Sequence, residues 1–340
     1  MLKTLSSMST RQKLNRITML VLFVVAALFP AINHNSYRLY FFSAVGGYII
    51  AATGLDILLG MAGQISMGHI AYLAVGGYVS HCLSHFLGIP TILAMILAAF
   101  VAAGVGALVA IPCAKLKAQF LVLASIAFAM FIYQFICQLS FVNPYRGMKT
   151  ANIILFGLNL NTNYMYTYYF ALALVCIVLF LRHLLTHSKI GRAFMAVRDN
   201  TRSADGMGID VRAYKILAFA ISAFLCGFAG AYLAHLSGFI VSDSYKQGLS
   251  FNYLIMIIFG GVNSLFGPVI GATMYQFINE FLSSAAAWRS ILYGVVVMVF
   301  IGFIPGGCMA GIRSIGDKIA ARIDAKAKPK AKEEKGAAEK

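Results

Sequence analysis

The chain has 340 residues, 60% of them hydrophobic and 11% charged, with a formal charge of +16 and a mean hydropathy of +0.81. That much apolar sequence excludes a pair of soluble domains and points to one polytopic membrane domain. The charge excludes a nucleic-acid face by its placement: of 27 Lys/Arg, four lie in residues 1–16, seven in 182–215 and nine in 313–340, the clustering that marks cytoplasmic segments of a membrane protein.

A helix needs about 20 mainly apolar residues to cross the hydrocarbon layer. In chain order the runs that qualify are 17–32, 39–54, 70–87, 91–112, 117–141, 165–182, 214–236 and 289–305. A further stretch, 251–282, is interrupted by Gly260-Gly-Val-Asn-Ser-Leu-Phe-Gly-Pro268 and reads as two short or broken helices. The first run is a retained helix rather than a signal peptide, because no small-x-small cleavage site follows it. Both termini and the basic island 182–215 belong on the cytoplasmic side, with Lys115 and Lys117. Six crossings before the island and four after it satisfy this. The expected fold class is therefore an all-α polytopic membrane protein of about ten transmembrane helices, some broken at Gly-rich segments. A cytoplasmic basic N-terminus (1–16) precedes a transmembrane domain (17–306) with a polar loop at 183–213, and a disordered basic tail (313–340) follows it; non-specific contact with the lipid bilayer is the tail's default role.

The densest polar run at membrane depth is Gly54-Leu-Asp-Ile-Leu-Leu-Gly-Met-Ala-Gly-Gln-Ile-Ser-Met-Gly-His69. Its glycines let backbones approach closely, and Gly-Gln-Ile-Ser-Met-Gly-His predicts an interrupted helix, which a bilayer tolerates where the break is buried in protein or lines a cavity. Two readings stand: tight packing alone, or a translocation pathway or gate faced by Gln64, Ser66 and His69. Asp56 joins that candidate gate as an ionisable group at membrane depth, and a solvated turn accounts for it equally. Asn263 and Ser264 are the polar members of the second broken segment; paired breaks in two halves of a chain point to a transport site, and a re-entrant turn of structural purpose is the alternative. Gly76-Gly-Tyr-Val-Ser-His81 and Gly230-Ala-Tyr-Leu-Ala-His235 form a loose internal echo.

Other features have plainer readings. Glu280, near Trp288 and Arg289, suits a boundary ion pair. His81 and His85 lack a third ligand, so no metal is expected. Cys82, Cys113, Cys137, Cys176, Cys226 and Cys308 stand singly and read as packing residues. The chain has no Gly-x-x-x-x-Gly-Lys-Ser/Thr, Gly-x-Ser-x-Gly or His-Glu-x-x-His, so no catalytic residue is expected and an enzyme is not indicated.

Within the island, Ala193, Phe194, Ala196 and Val197 form a small apolar face flanked by Arg192 and Arg198, and Thr201 is expected to cap a second short turn ended by Gly206 and Gly208. Such a helix suits a groove on another protein. Lying on the membrane surface calls for larger apolar residues and a longer stripe.

Three segments then carry a resemblance. Leu58-Leu-Gly-Met-Ala-Gly-Gln-Ile-Ser-Met-Gly-His69, through Tyr78, resembles the first signature of branched-chain amino acid ABC permeases of the LivM type. Ser188-Lys-Ile-Gly-Arg-Ala-Phe-Met-Ala-Val-Arg-Asp-Asn200, with Ala204-Asp-Gly-Met-Gly-Ile209 and Tyr214-Lys-Ile-Leu-Ala-Phe219, resembles that family's cytoplasmic coupling loop. Ile258-Phe-Gly-Gly-Val-Asn-Ser-Leu-Phe-Gly-Pro-Val-Ile-Gly271 resembles its third signature. The resemblance implies a permease subunit of a bacterial inner-membrane ABC importer for branched-chain amino acids. Its partners would be a second related permease subunit, two cytoplasmic ATPase subunits and a periplasmic solute-binding protein; ATP is used by the ATPases, and no cofactor is bound by this chain. Arg192, Ala196, Arg198, Asp199, Ala204 and Gly208 become the expected ATPase-coupling residues. Relatives that carry urea, amides or other small solutes offer an alternative, and an autonomous ion-coupled carrier using Asp56 and Glu280 a second. The chain departs from the family pattern at Asp56, where Asn is common, and at Asn143-Pro-Tyr-Arg-Gly-Met-Lys-Thr150, where a Gly-Gly-Pro-Asn-Gly-like stretch is expected.

Overall fold

A computed structural model describes residues 29–30, 35–116, 118–139, 146–155, 158–284, 288–303, 306–309 and 311. The basic N-terminus 1–16, most of the apolar run 17–32, Lys117, residues 143–145 and the tail 313–340 lie outside the described residues.

The chain is built of helices in an all-α polytopic arrangement. Helix α1 (Ser36–Asp56) starts on Asn35, whose side chain accepts from the Tyr37 N–H, and it passes into a π turn at Ile57–Met61. After a break come α2 (His69–Phe86), α3 (Thr91–Cys113) and α4 (Ala118–Gln138). Short strands β1 (Met148–Lys149), β2 (Ile154–Leu155) and β3 (Leu158–Asn159) precede α5 (Tyr164–His187). Two short helices, α6 (Lys189–Asp199) and α7 (Thr201–Gly206), lead into α8 (Val211–Ser237). Strand β4 (Phe239–Ile240) pairs antiparallel with β1, and β2 pairs with β3. Helices α9 (Ser250–Gly260), α10 (Gly267–Phe281) and α11 (Arg289–Phe303) follow.

Five of the described helices are long and apolar enough to cross a membrane: α1 with its π turn, α3, α4, α5 and α8. The run 70–87 forms α2, which is not among them, and 251–282 forms two short helices as its glycines predict. Helices α3, α4 and α5 expose a belt of apolar side chains, among them Phe100, Leu108, Leu123, Phe131 and Phe180. In water such a belt would be a liability; it suits a lipid face.

Helices α1, α2 and α8 make the centre, with α3 packed on α2 and α8, α5 on α1, and the α9–α10 hairpin on α1. The crossing of α2 and α8 depends on absent side chains. A Cβ on Gly76 would run into the Gly227 carbonyl, and one on Gly230 into the Leu73 carbonyl. With no hydrophobic drive between helices in lipid, this close approach supplies dispersion contact, and polar side chains lock it. His69 Nε2 lies 2.7 Å from Ser222 Oγ. His235 Nδ1 lies 2.8 Å from the Ala151 carbonyl, which can only accept, so Nδ1 carries the proton and Nε2 accepts from the Ser80 hydroxyl at 2.8 Å. The two echo segments thus lie on contacting helices. One end of the bundle carries the strands; the other, the basic end, carries α6 and α7.

Candidate functional site

The basic end brings both glycine-broken segments together around a buried ion pair. Asp56, the last residue of α1, is fully enclosed, and Arg182 of α5 is 3% exposed. The solvated turn that the sequence allowed for Asp56 is thereby excluded. One guanidinium nitrogen of Arg182 donates to Asp56 Oδ2, and the other donates to the Ser264 carbonyl at 2.5 Å. The second carboxylate oxygen, Oδ1, accepts from the Asn263 N–H at 2.8 Å. Asn263 adopts φ 57°, a left-handed conformation that asparagine tolerates better than most residues. The Ser264 hydroxyl closes the turn on the Gly261 carbonyl at 2.9 Å. Gly60 makes room for all of this: a Cβ there would lie 2.7 Å from Asp56 Oδ1 and 2.8 Å from Asn263 N.

The first broken segment is irregular, as its sequence predicts, and part of its backbone finds partners inside the protein. Gln64 N–H reaches the Leu58 carbonyl at 3.0 Å, and Met67 N–H reaches Ser125 Oγ at 3.0 Å. Gln64, Ser66 and His69 are all buried. Gln64 Nε2 donates to the Lys215 carbonyl at 3.3 Å, the Ser66 hydroxyl accepts from Gly68 N–H at 3.4 Å, and His69 is the α2–α8 lock described above.

Helix α6 covers this site from the basic end. Its N-cap is Ser188, whose hydroxyl accepts from Gly191 N–H at 3.1 Å. The cap of α7 is Asn200, not Thr201: the Asn200 side chain accepts from Arg202 and Ser203 N–H at 3.0 and 3.1 Å, because it precedes the helix while Thr201 is already its first residue. Asp210 caps α8 through Ala213 N–H. Of the face expected to serve a groove on another protein, Ala193, Phe194 and Val197 are buried within this chain, with Phe194 edge-on to Tyr214. On this segment Arg192, Asp199 and Gly208 are open beside the apolar Ile190 and Met207, Ala196 is half-buried and Ala204 is enclosed. Arg198 turns inward. Its Nη1 donates to the Gly60 carbonyl at 2.6 Å, while Nε and Nη2 hold Asp199 Oδ1 at 3.0 Å.

Arg182 is the residue that sequence reasoning missed as a site member; a carboxylate alone at membrane depth demands a counter-charge, and that was the available signal. At the strand end, Glu280 accepts a 2.5 Å hydrogen bond from the Tyr37 hydroxyl. Its partner residue there is an aromatic of α1, at the opposite end of that helix from Asp56. His81 and His85 stack at 5.3 Å, and no group of three metal-ligating side chains occurs among the described residues. Between α1, α2, α8 and residues 239–253 a cavity of about 170 Å³ opens toward the strand end. Ile70, Leu73 and Leu233 line it beside Ser237, Ser244 and Tyr245, and no lining side chain is charged.

Residues 37–301 match the family described as branched-chain amino acid transport system / permease component. The chain is 23% identical to the high-affinity branched-chain amino acid transport system permease protein LivM of Escherichia coli (strain K12), over 77% of this chain and 67% of that protein. Identity is also 23% to the protein of the same name from Salmonella typhimurium, over 91% of this chain and 77% of the relative. The autoinducer 2 import system permease protein LsrC of Shigella flexneri is 27% identical over 38% of this chain and 40% of its own length. No solved structure matches. A glycine-broken, ion-paired core under a basic two-helix segment, in a match covering most of the transmembrane sequence, is a transport subunit rather than an enzyme: this multi-pass membrane chain belongs to the branched-chain amino acid permease family, LivM type, of ABC transporters.

Proposed function

We propose that this chain is one permease half of an ATP-driven importer that moves branched-chain amino acids across a bacterial inner membrane. It pairs with a second, related permease, receives solute from a periplasmic binding protein, and is driven by two cytoplasmic ATPases. The family match over residues 37–301 carries this reading. In it the chain crosses the membrane ten times with both termini in the cytoplasm, and the loop 183–213 is the coupling element. Arg192, Arg198, Asp199 and Gly208 present its exposed surface to an ATPase, and Ala196 and Ala204 shape it from beneath. Asp56, Gln64, Ser66, His69, Asn263 and Ser264 form the gate region, in which two broken segments meet. The LivM relatives favour branched-chain amino acids as the solute over urea or a small amide.

An ion-coupled carrier gains less support. Its two carboxylates lie at opposite ends of α1, and Asp56 is already neutralised by Arg182. Reconstitution separates the readings. Vesicles holding this chain with the second permease, both ATPases and the binding protein accumulate labelled leucine only with ATP, and isoleucine and valine compete. Uphill uptake by this chain alone, driven by an ion gradient, overturns the importer; competition by urea but not by valine overturns the solute assignment.

A further inference from the structure

The geometry points to Arg198 and the buried Asp56–Arg182 pair as positioning residues that carry a displacement of α6 into the second broken segment, residues 261–266. This rests on the permease reading above and adds a route inside the subunit.

The route consists of four links, each made to backbone or to the ion pair. Arg198 lies across Gly63, where a Cβ would stand 2.6 Å from Arg198 Cγ, and its head grips the Gly60 carbonyl. Gly60 belongs to the π turn Ile57–Met61, and Asp56 immediately precedes that turn. Asp56 holds Arg182 and the Asn263 N–H; Arg182 holds the Ser264 carbonyl. Residues 261–266 join α9 to α10, so a shift of this loop re-aims both helices. A π turn holds one extra residue per turn and is a common site of local adjustment within helices, which suits the link that must give. Bulk packing alone does not require the arrangement. Phe194 and Val197 already bury α6, yet Arg198, only 33% exposed, reaches back to a carbonyl 138 residues distant in sequence.

Two consequences set this role apart from simple docking. Arg198 acts on the subunit's own backbone, so its loss separates hydrolysis from transport. Asn263 is held through its N–H, so its side chain is dispensable to the link while Asp56 is not.

The test uses the complete reconstituted transporter, with ATP hydrolysis and solute uptake measured on the same vesicles. R198A lowers uptake per ATP hydrolysed by about tenfold, within the range of coupling between linked sites, and R198K, which still offers a donor to the Gly60 carbonyl, recovers part of it. A cysteine introduced at the exposed Val262 in the same loop (V262C) supplies a second readout: its reaction with an impermeant thiol reagent, followed by mass spectrometry of that peptide, responds to ATP in the parent and ceases to respond in R198A. An unchanged uptake-to-hydrolysis ratio in R198A, or a proportional loss of both with V262C still responding to ATP, overturns the route. A parent complex that accumulates no solute at all sinks the permease reading instead, so the two failures are distinguishable.

Discussion

Asp56 and Arg182 are enclosed together near the basic ends of two spanning helices, and their value is best judged by removing one at a time. D56A leaves a guanidinium without counter-charge and strands the Asn263 N–H; R182A does the converse to Ser264. Each single variant should cost about 3–5 kcal/mol, the usual price of an uncompensated buried charge, seen as a lower unfolding temperature of the detergent-purified protein. The neutral pair D56N/R182Q keeps an acceptor for Asn263 and a donor for Ser264, so it should recover most of that loss. If the double variant is as unstable as the singles, charge compensation is not what the pair provides. In the sequence only half of this was legible. Asp56 stands out as an acid in an apolar run, but Arg182 reads as the start of the polar island because the apolar run 165–182 ends on it; α5 continues to His187 and carries Arg182 inside the bundle. Which acid meets which base across 126 residues is a tertiary fact that no local pattern records.

Among elements, the α2–α8 crossing shows where glycine is required and where it is merely present. Gly76 and Gly230 each face a backbone carbonyl that no side-chain movement can displace, so G76L and G230L should fail to yield folded protein, beyond the roughly 1–3 kcal/mol of ordinary overpacking. Gly104 of α3 has open space around its would-be Cβ, and G104A should be neutral or stabilise by about 0.5–1 kcal/mol. Equal yields of G76L and G104A, measured by size-exclusion of the solubilised protein, would contradict the crossing. Helix existence and both breaks were legible here because apolar runs and glycine clusters act locally. The apolar face of α6 was legible too, but its destination was not: Phe194 reads the same whether it enters a partner's groove or, as found, its own subunit's core. Asn200 in place of Thr201 as the α7 cap is a one-residue shift of a helix start, which the polar run Asp199-Asn-Thr201 leaves undecided.

At the scale of the whole molecule, charge sorts the two ends. Lys115 borders the same shallow hollow as Arg202 and Arg212, so the loop after α3 and the α6–α7 segment share one end, with Lys189, Arg192 and Arg198 beside them. Arg38, Arg146, Lys149 and Lys246 are spread thinly over the other. Basic residues near spanning helices are retained in the cytoplasm, so the α6–α7 end should face inward and the β1–β4 end outward. Single cysteines test this in intact cells. M207C, on the exposed turn after α7, should react with an impermeant maleimide only once the membrane is permeabilised, whereas K149C on β1 should react from outside. Labelling of both from the same side would break the two-ended architecture. Labelling of M207C alone from outside would invert it, and with it would go any route by which a cytoplasmic ATPase reaches α6, since the Arg198–Gly60 link then opens onto the wrong compartment.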